Sequence, residues 1–219
     1  MAEERLHDPA WLPASGALLF VHGITSGIVW RSRIARHDAG APQGTFTDLP
    51  TAAAASGVEH LQVAPDGVRL LLETNGSVAL GRLDAPEVTT LTIGTHPSWS
   101  PDTKRMAYAT ARVAEDAYAI VVREDDGRTW PLVESTGFEL ACPSFSADGA
   151  SIVYVRRMRT PAQSEVWIAP ARPGGSGAPI VQGEALGCPS WAPDGTLYVL
   201  ASSDAMTRSK MLFHVRIAP

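Results

Sequence analysis

Cys142-Pro-Ser-Phe-Ser-Ala-Asp-Gly149 is one of five versions of a single pattern, an apolar run that ends in a tight turn. The others are Asp8-Pro-Ala-Trp-Leu-Pro-Ala-Ser-Gly16, His60-Leu-Gln-Val-Ala-Pro-Asp-Gly67, His96-Pro-Ser-Trp-Ser-Pro-Asp-Thr103 and Cys188-Pro-Ser-Trp-Ala-Pro-Asp-Gly195. Aligned on the large apolar residue, the anchors are Trp11, Val63, Trp99, Phe145 and Trp191, and the last two follow their predecessors by 46 residues each (145 − 99 and 191 − 145). A repeat of that length points to one supersecondary unit per copy, of the kind that stacks into a propeller.

The residues between the anchors fill in each unit. Runs rich in strand formers cover Ala17–His22, Ile28–Ala35 and Thr45–Leu49 in the first repeat and Val68–Glu73, Ser77–Leu83 and Val88–Ile93 in the second. The third has Arg105–Thr110, Ala117–Arg123 and Thr129–Glu134; the fourth has Ser151–Arg156, Glu165–Ala169 and Pro179–Gln182. The fifth has only Thr196–Ala201 and Met211–Ile217. Asn75-Gly76 and Asp125-Asp-Gly127 are hairpin turn signals, and Thr51-Ala-Ala-Ala-Ala55 is too short for a stable helix. With no amphipathic helix, the chain reads as all-β. One domain is expected over 1–219, a five-bladed β-propeller of four-stranded antiparallel blades over 6–50, 58–93, 95–134, 140–182 and 187–217. Radial arrangement protects strand edges that an open array exposes. The fourth strand of the last blade comes from Ala2–Leu6, or that blade has three strands. A truncated six-bladed ring is the competing reading.

Composition excludes several classes. Hydrophobic residues make up 45% and charged residues 19% of the chain, which rules out general disorder. A net charge of −5 argues against a nucleic-acid partner. No apolar run reaches membrane-span length. Met-Ala-Glu-Glu-Arg lacks the apolar core of a secretory signal, so a cytoplasmic location is expected. The two cysteines then read as reduced thiols or metal ligands in preference to a disulfide.

Pro-Ser-Trp-Ser-Pro-Asp and Pro-Ser-Trp-Ala-Pro-Asp-Gly resemble the repeat of TolB-type, WD40-like β-propellers, over nearly the whole chain. The resemblance implies that Pro-x-Trp lies on the innermost strand of each blade and that Ser-Pro-Asp-Gly turns into the next strand. It implies the propeller fold but not one function, because relatives include translocation proteins and peptidase-associated propellers; the Ala-, Arg- and Pro-rich composition separately points to a high-GC bacterial source. Better-known members have six or seven repeats, against five here.

The resemblance also places the residue three before each anchor at the start of the innermost strand, facing the central channel. Those residues are Asp8, His60, His96, Cys142 and Cys188. Two thiolates and two imidazoles suit Zn²⁺, Cu⁺ or Fe²⁺. Asp8 is then a fifth ligand or a proton acceptor, with His7 beside it in reserve as a catalytic group. The loops expected around this mouth bring His22, Arg112, Arg156, Arg157, Arg159 and Arg208, a set suited to an anionic small-molecule substrate. On this reading the chain is a transition-metal propeller, and an enzyme if the metal has an open position. The structural alternative makes the five residues polar filling, the arginines solvated charges, and the protein a non-catalytic scaffold for a protein or peptide partner. Trp11, Trp99 and Trp191 are expected in the blade core.

Overall fold

In a computed structural model the chain is described throughout except for residues 1–2, 13–14, 27–28, 51–56, 113–114, 159–162, 193, 203–209 and 217–219. The alanine run therefore lies outside the described residues, as do Arg159 and Arg208. The chain divides into two compact units, Met1–Pro97 and Ser98–Pro219. The expected fold class is found, an all-β propeller of five consecutive antiparallel blades.

The first blade holds β1 (Glu3–Leu12), β2 (Ala17–Ser26), β3 (Val29–His37) and β4 (Thr47–Asp48), and the second β5 (Val58–Val63), β6 (Arg69–Thr74), β7 (Ser77–Arg82) and β8 (Ala85–Ile93). The third runs β9 (Thr95–Trp99), β10 (Arg105–Arg112), β11 (Ala117–Glu124) and β12 (Thr129–Thr136). The fourth runs β13 (Phe138–Phe145), β14 (Ser151–Met158), β15 (Gln163–Pro170) and β16 (Ala178–Glu184). The last contains β17 (Ser190–Trp191), β18 (Thr196–Ser202) and β19 (Lys210–Arg216). Each sheet is a meander in chain order, four strands in the first four blades and three in the last.

Residues near the N-terminus do not complete the last blade. Glu3, Glu4, Arg5 and Leu6 lengthen β1 and pair with Thr25, Ile24, Gly23 and His22 of β2. Apolar side chains on the first three strands of neighbouring blades supply the cores. In the first unit Leu19, Val21 and Ile34 pack with Val58, Leu61, Leu70 and Leu72. In the second, Ile120 and Val122 pack with Leu140, Phe145 and Ile152, and Val153 and Val166 pack with Leu197 and Val199. Trp99 is buried and Trp191 half-buried, as expected, but Trp11 is 58% exposed.

The repeated turn explains its own sequence. Ser100 donates its hydroxyl to Asp102 at 2.6 Å and accepts the Arg105 N–H at 2.9 Å, while Asp102 also accepts the Lys104 N–H. Ser146, Asp148, Ala150 and Ser151 repeat the arrangement at 2.6–3.0 Å. Asp66 and Asp194 take the same backbone role. An aspartate that folds back on the following amides is an Asx turn, and the glycine after it adopts positive φ, +70° at Gly149. In the second unit Arg105 then reaches the fourth blade, donating to the carbonyls of Ala171 and Gly149 at 2.9 and 3.0 Å.

Candidate functional site

Three of the five residues at the register three before each anchor have an unusual backbone. Asp8, His96 and Cys142 have φ of +56°, +50° and +53°. Strand register shifts between His7 and Ala10 and between Ala141 and Ser144, so Asp8 and Cys142 sit in β-bulges. A bulge leaves a residue out of the ladder and re-aims its side chain, and the unpaired position tolerates the proline that follows. Asp and His are among the side chains that best accept left-handed backbone. Conformation alone thus accounts for part of what the sequence pattern offers as a ligand set.

Within the first unit, Asp8 and His60 meet. The carboxylate oxygens of Asp8 lie 3.0 and 2.8 Å from Nδ1 of His60, and Asp8 also accepts the N–H of Leu61. The rings of His60 and His96 are 6.2 Å apart between centroids. His96 donates its backbone N–H to Oε2 of Glu73 at 2.7 Å, and its Nδ1 lies 3.1 Å from the Thr95 hydroxyl. Glu73 is a residue that the sequence pattern missed. It follows Leu70, Leu71 and Leu72 on β6 and is buried with them; a carboxylate closing such an apolar run is the signal that was available. Burial pushes its carboxyl above the ordinary value, and the charge of Glu59 adds to this, while the His96 amide and His60 oppose it.

Within the second unit, Cys142 and Cys188 are joined in a disulfide across 46 residues, one full repeat, with their Cα atoms 5.2 Å apart. That separation is ordinary for a disulfide. The expectation of two reduced thiols is corrected: no cysteine of the chain is free. The bond forms because the repeat places equivalent residues of successive blades side by side, a proximity invisible in a linear sequence. In this state neither sulfur is a thiolate, the form in which cysteine binds metal.

Of the expected substrate residues, the side chains of His22, Arg156 and Arg157 are described. His22 is buried within β2, its ring 4.8 Å edge-on from Phe46. Strand β2 continues to Ser26, so the loop expected from residue 22 is strand. Arg156 stacks on Phe138 at 3.5 Å and faces Trp167 at 5.0 Å. Arg157 donates to Glu139 at 2.9 Å and lines a cleft of about 360 Å³ with Ser164 and Leu186. The side chain of Arg112 and all of Arg208 lie outside the described residues. His7 lines an apolar cleft of about 310 Å³ with Leu6, Phe20, His37 and Phe46.

Comparison with curated proteins gives no match. Among solved structures, a TolB protein from Agrobacterium tumefaciens is 20% identical with a TM-score of 0.70, over 90% of this chain and 70% of that one. TolB from Acinetobacter baumannii is also 20% identical, with a TM-score of 0.69 over 97% of this chain and 55% of that one. A chain of a nidogen/laminin complex is 13% identical with a TM-score of 0.67, over 97% and 81%. The chain thus spans little more than half the length of the second TolB. These likenesses establish the propeller fold and bear out the TolB-type repeat read from Pro-Ser-Trp-Ser-Pro-Asp. The profile of the lipoprotein LpqB β-propeller domain matches residues 1–139 and 119–211. With that match over almost its whole length, the chain belongs to the LpqB β-propeller domain family.

Proposed function

We propose that the chain is a non-catalytic propeller scaffold that binds a protein or peptide in an oxidising compartment. One observation carries this reading: the residues aligned as ligands are engaged in joining one blade to the next. Asp8 holds His60 and the Leu61 amide, Glu73 holds the His96 amide, and Cys142 is bonded to Cys188. The disulfide supports a location outside the cytoplasm, because thiols stay reduced inside it. The nidogen/laminin likeness supports the binding role by fold analogy alone.

A second reading keeps a transition-metal centre. It rests on the approach of the His60 and His96 rings to 6.2 Å with Asp8 alongside, and it requires reduction before either cysteine joins the ligand set. An anionic substrate would then be its partner.

Two measurements separate the readings. Elemental mass spectrometry of untagged protein, purified without chelators in oxidised and reduced forms, is expected to find no stoichiometric Zn, Cu or Fe. Selection of phage-displayed peptides on the immobilised oxidised protein is expected to enrich a sequence family. One equivalent of metal together with no enriched peptide overturns the scaffold reading.

A further inference from the structure

Asp8, His60, His96 and Cys142 fall within β1, β5, β9 and β13, whereas Cys188 lies outside any strand, two residues before β17. Strand β17 is Ser190–Trp191 alone, against five to ten residues in the innermost strands of the other blades. Pro189 cannot donate to a ladder, which keeps this stretch out of regular pairing. Within its own blade it is held: Leu186 bridges to Ala201, the Gly187 N–H donates to the Leu200 carbonyl at 2.7 Å, and Ser190 and Trp191 pair with Tyr198 and Leu197. Toward β13, among the described residues, its covalent and polar ties are the disulfide and a hydrogen bond from Trp191 Nε1 to the Ser144 carbonyl at 3.4 Å. That hydrogen bond is long, so the disulfide is the main tie.

The two bonded cysteines are unequally reachable. Cys142 is 4% exposed and sits in an apolar cluster with Ala141 and Val155, whereas Cys188 is exposed. Thiol–disulfide exchange proceeds by attack of a thiolate on one sulfur, access helps to decide which, and exposed disulfides are the labile ones. An approaching thiolate therefore meets Cys188, and Cys142 is the leaving group.

We propose that Cys188 is a thiol-exchange site, through which a protein dithiol of the Cys-x-x-Cys kind reduces the bond and unties the start of the last blade from β13. The partner's first thiolate bonds to Sγ of Cys188 as the Cys142–Cys188 bond breaks. The electron pair of that bond goes to Sγ of Cys142, which takes a proton from water and remains as a small apolar side chain. The partner's second thiolate then attacks the partner's own bonded sulfur, expels Cys188 as a thiolate and closes the partner's disulfide. Two electrons pass from the partner to the chain, and the two-residue β17 is left to fray from β18. The exchange does not depend on what the propeller binds.

The test is trapping on the intact oxidised chain with a thioredoxin whose second active-site cysteine is replaced by serine, followed by peptide mass spectrometry without reductant. Expected is a mixed disulfide at Cys188 in about tenfold excess over Cys142. The chain is then reduced with unaltered thioredoxin, and amide hydrogen exchange is read by mass spectrometry. Exchange across residues 187–191 is expected to quicken about tenfold and independently of low urea, the mark of local opening. Adducts at Cys142, or at both cysteines alike, overturn the site. A bond that resists unaltered thioredoxin until the chain is unfolded overturns the exchange. Reduction that leaves 187–191 unchanged, or quickens it only in step with urea, overturns the untying of the blade.

Discussion

Asp8 and His60, 52 positions apart in sequence, meet at 2.8 and 3.0 Å between the carboxylate and Nδ1. The same carboxylate accepts the Leu61 N–H, so one side chain in the first blade holds the inner strand of the second. Asp8→Ala removes all of this and leaves a left-handed non-glycine residue without its polar compensation, an expected loss of about 2 kcal/mol. Asp8→Asn keeps an acceptor and tolerance of positive φ and is expected to cost less than half as much. Urea denaturation of both variants, with a double-mutant cycle through His60→Gln, checks the order.

The Cys142–Cys188 bond closes a 46-residue separation. Chain-entropy arithmetic for a loop of that size gives roughly 4 kcal/mol of stabilisation through the unfolded state. Reduction, or replacement of both cysteines by serine, is expected to lower the unfolding free energy by about 3–4 kcal/mol with retention of β circular dichroism. A variant as stable as the parent would show that the bond is absent in solution.

Glu73 provides a pH signature. Its folded-state carboxyl titrates above the ordinary 4.5 because burial disfavours the charge, so the folded chain holds its proton more tightly than the unfolded one. Stability therefore falls as pH rises from the ordinary carboxyl value through the raised one. Glu73→Gln keeps an oxygen for the His96 amide and removes the charge. It is expected to flatten that descent, measured as Tm against pH from 4 to 8.

The turn aspartates run the other way. Hydrogen bonds from the Ser100 and Ser146 hydroxyls hold Asp102 and Asp148 below the ordinary 3.8. Their contribution is present above that value and is lost as pH falls through the lowered one. Ser100→Ala removes both the donor to Asp102 and the acceptor for the Arg105 amide, with an expected cost of about 1–2 kcal/mol. Thermal melts at pH 7 and below pH 3 should show the difference from the parent narrowing in acid.

The sequence by itself determined the local pieces. Five copies of an apolar run ending in a tight turn, four of them with the aspartate of an Asx turn, reveal the repeat because these turns are satisfied within about five residues, as Ser146, Asp148 and Ser151 show. Strand positions followed from the same short-range patterning, and the alternation of Leu197, Val199 and Ala201 marks the buried face of β18. The register three before each anchor was also legible as a set of residues. What those residues do was not, because it depends on partners supplied by other blades. Only the tertiary structure decided that Cys142 bonds Cys188, that Asp8 faces His60, and that a buried Glu73 serves the His96 amide. Short-range hydrogen bonding is written in consecutive residues, whereas pairing across blades is set by where the chain returns.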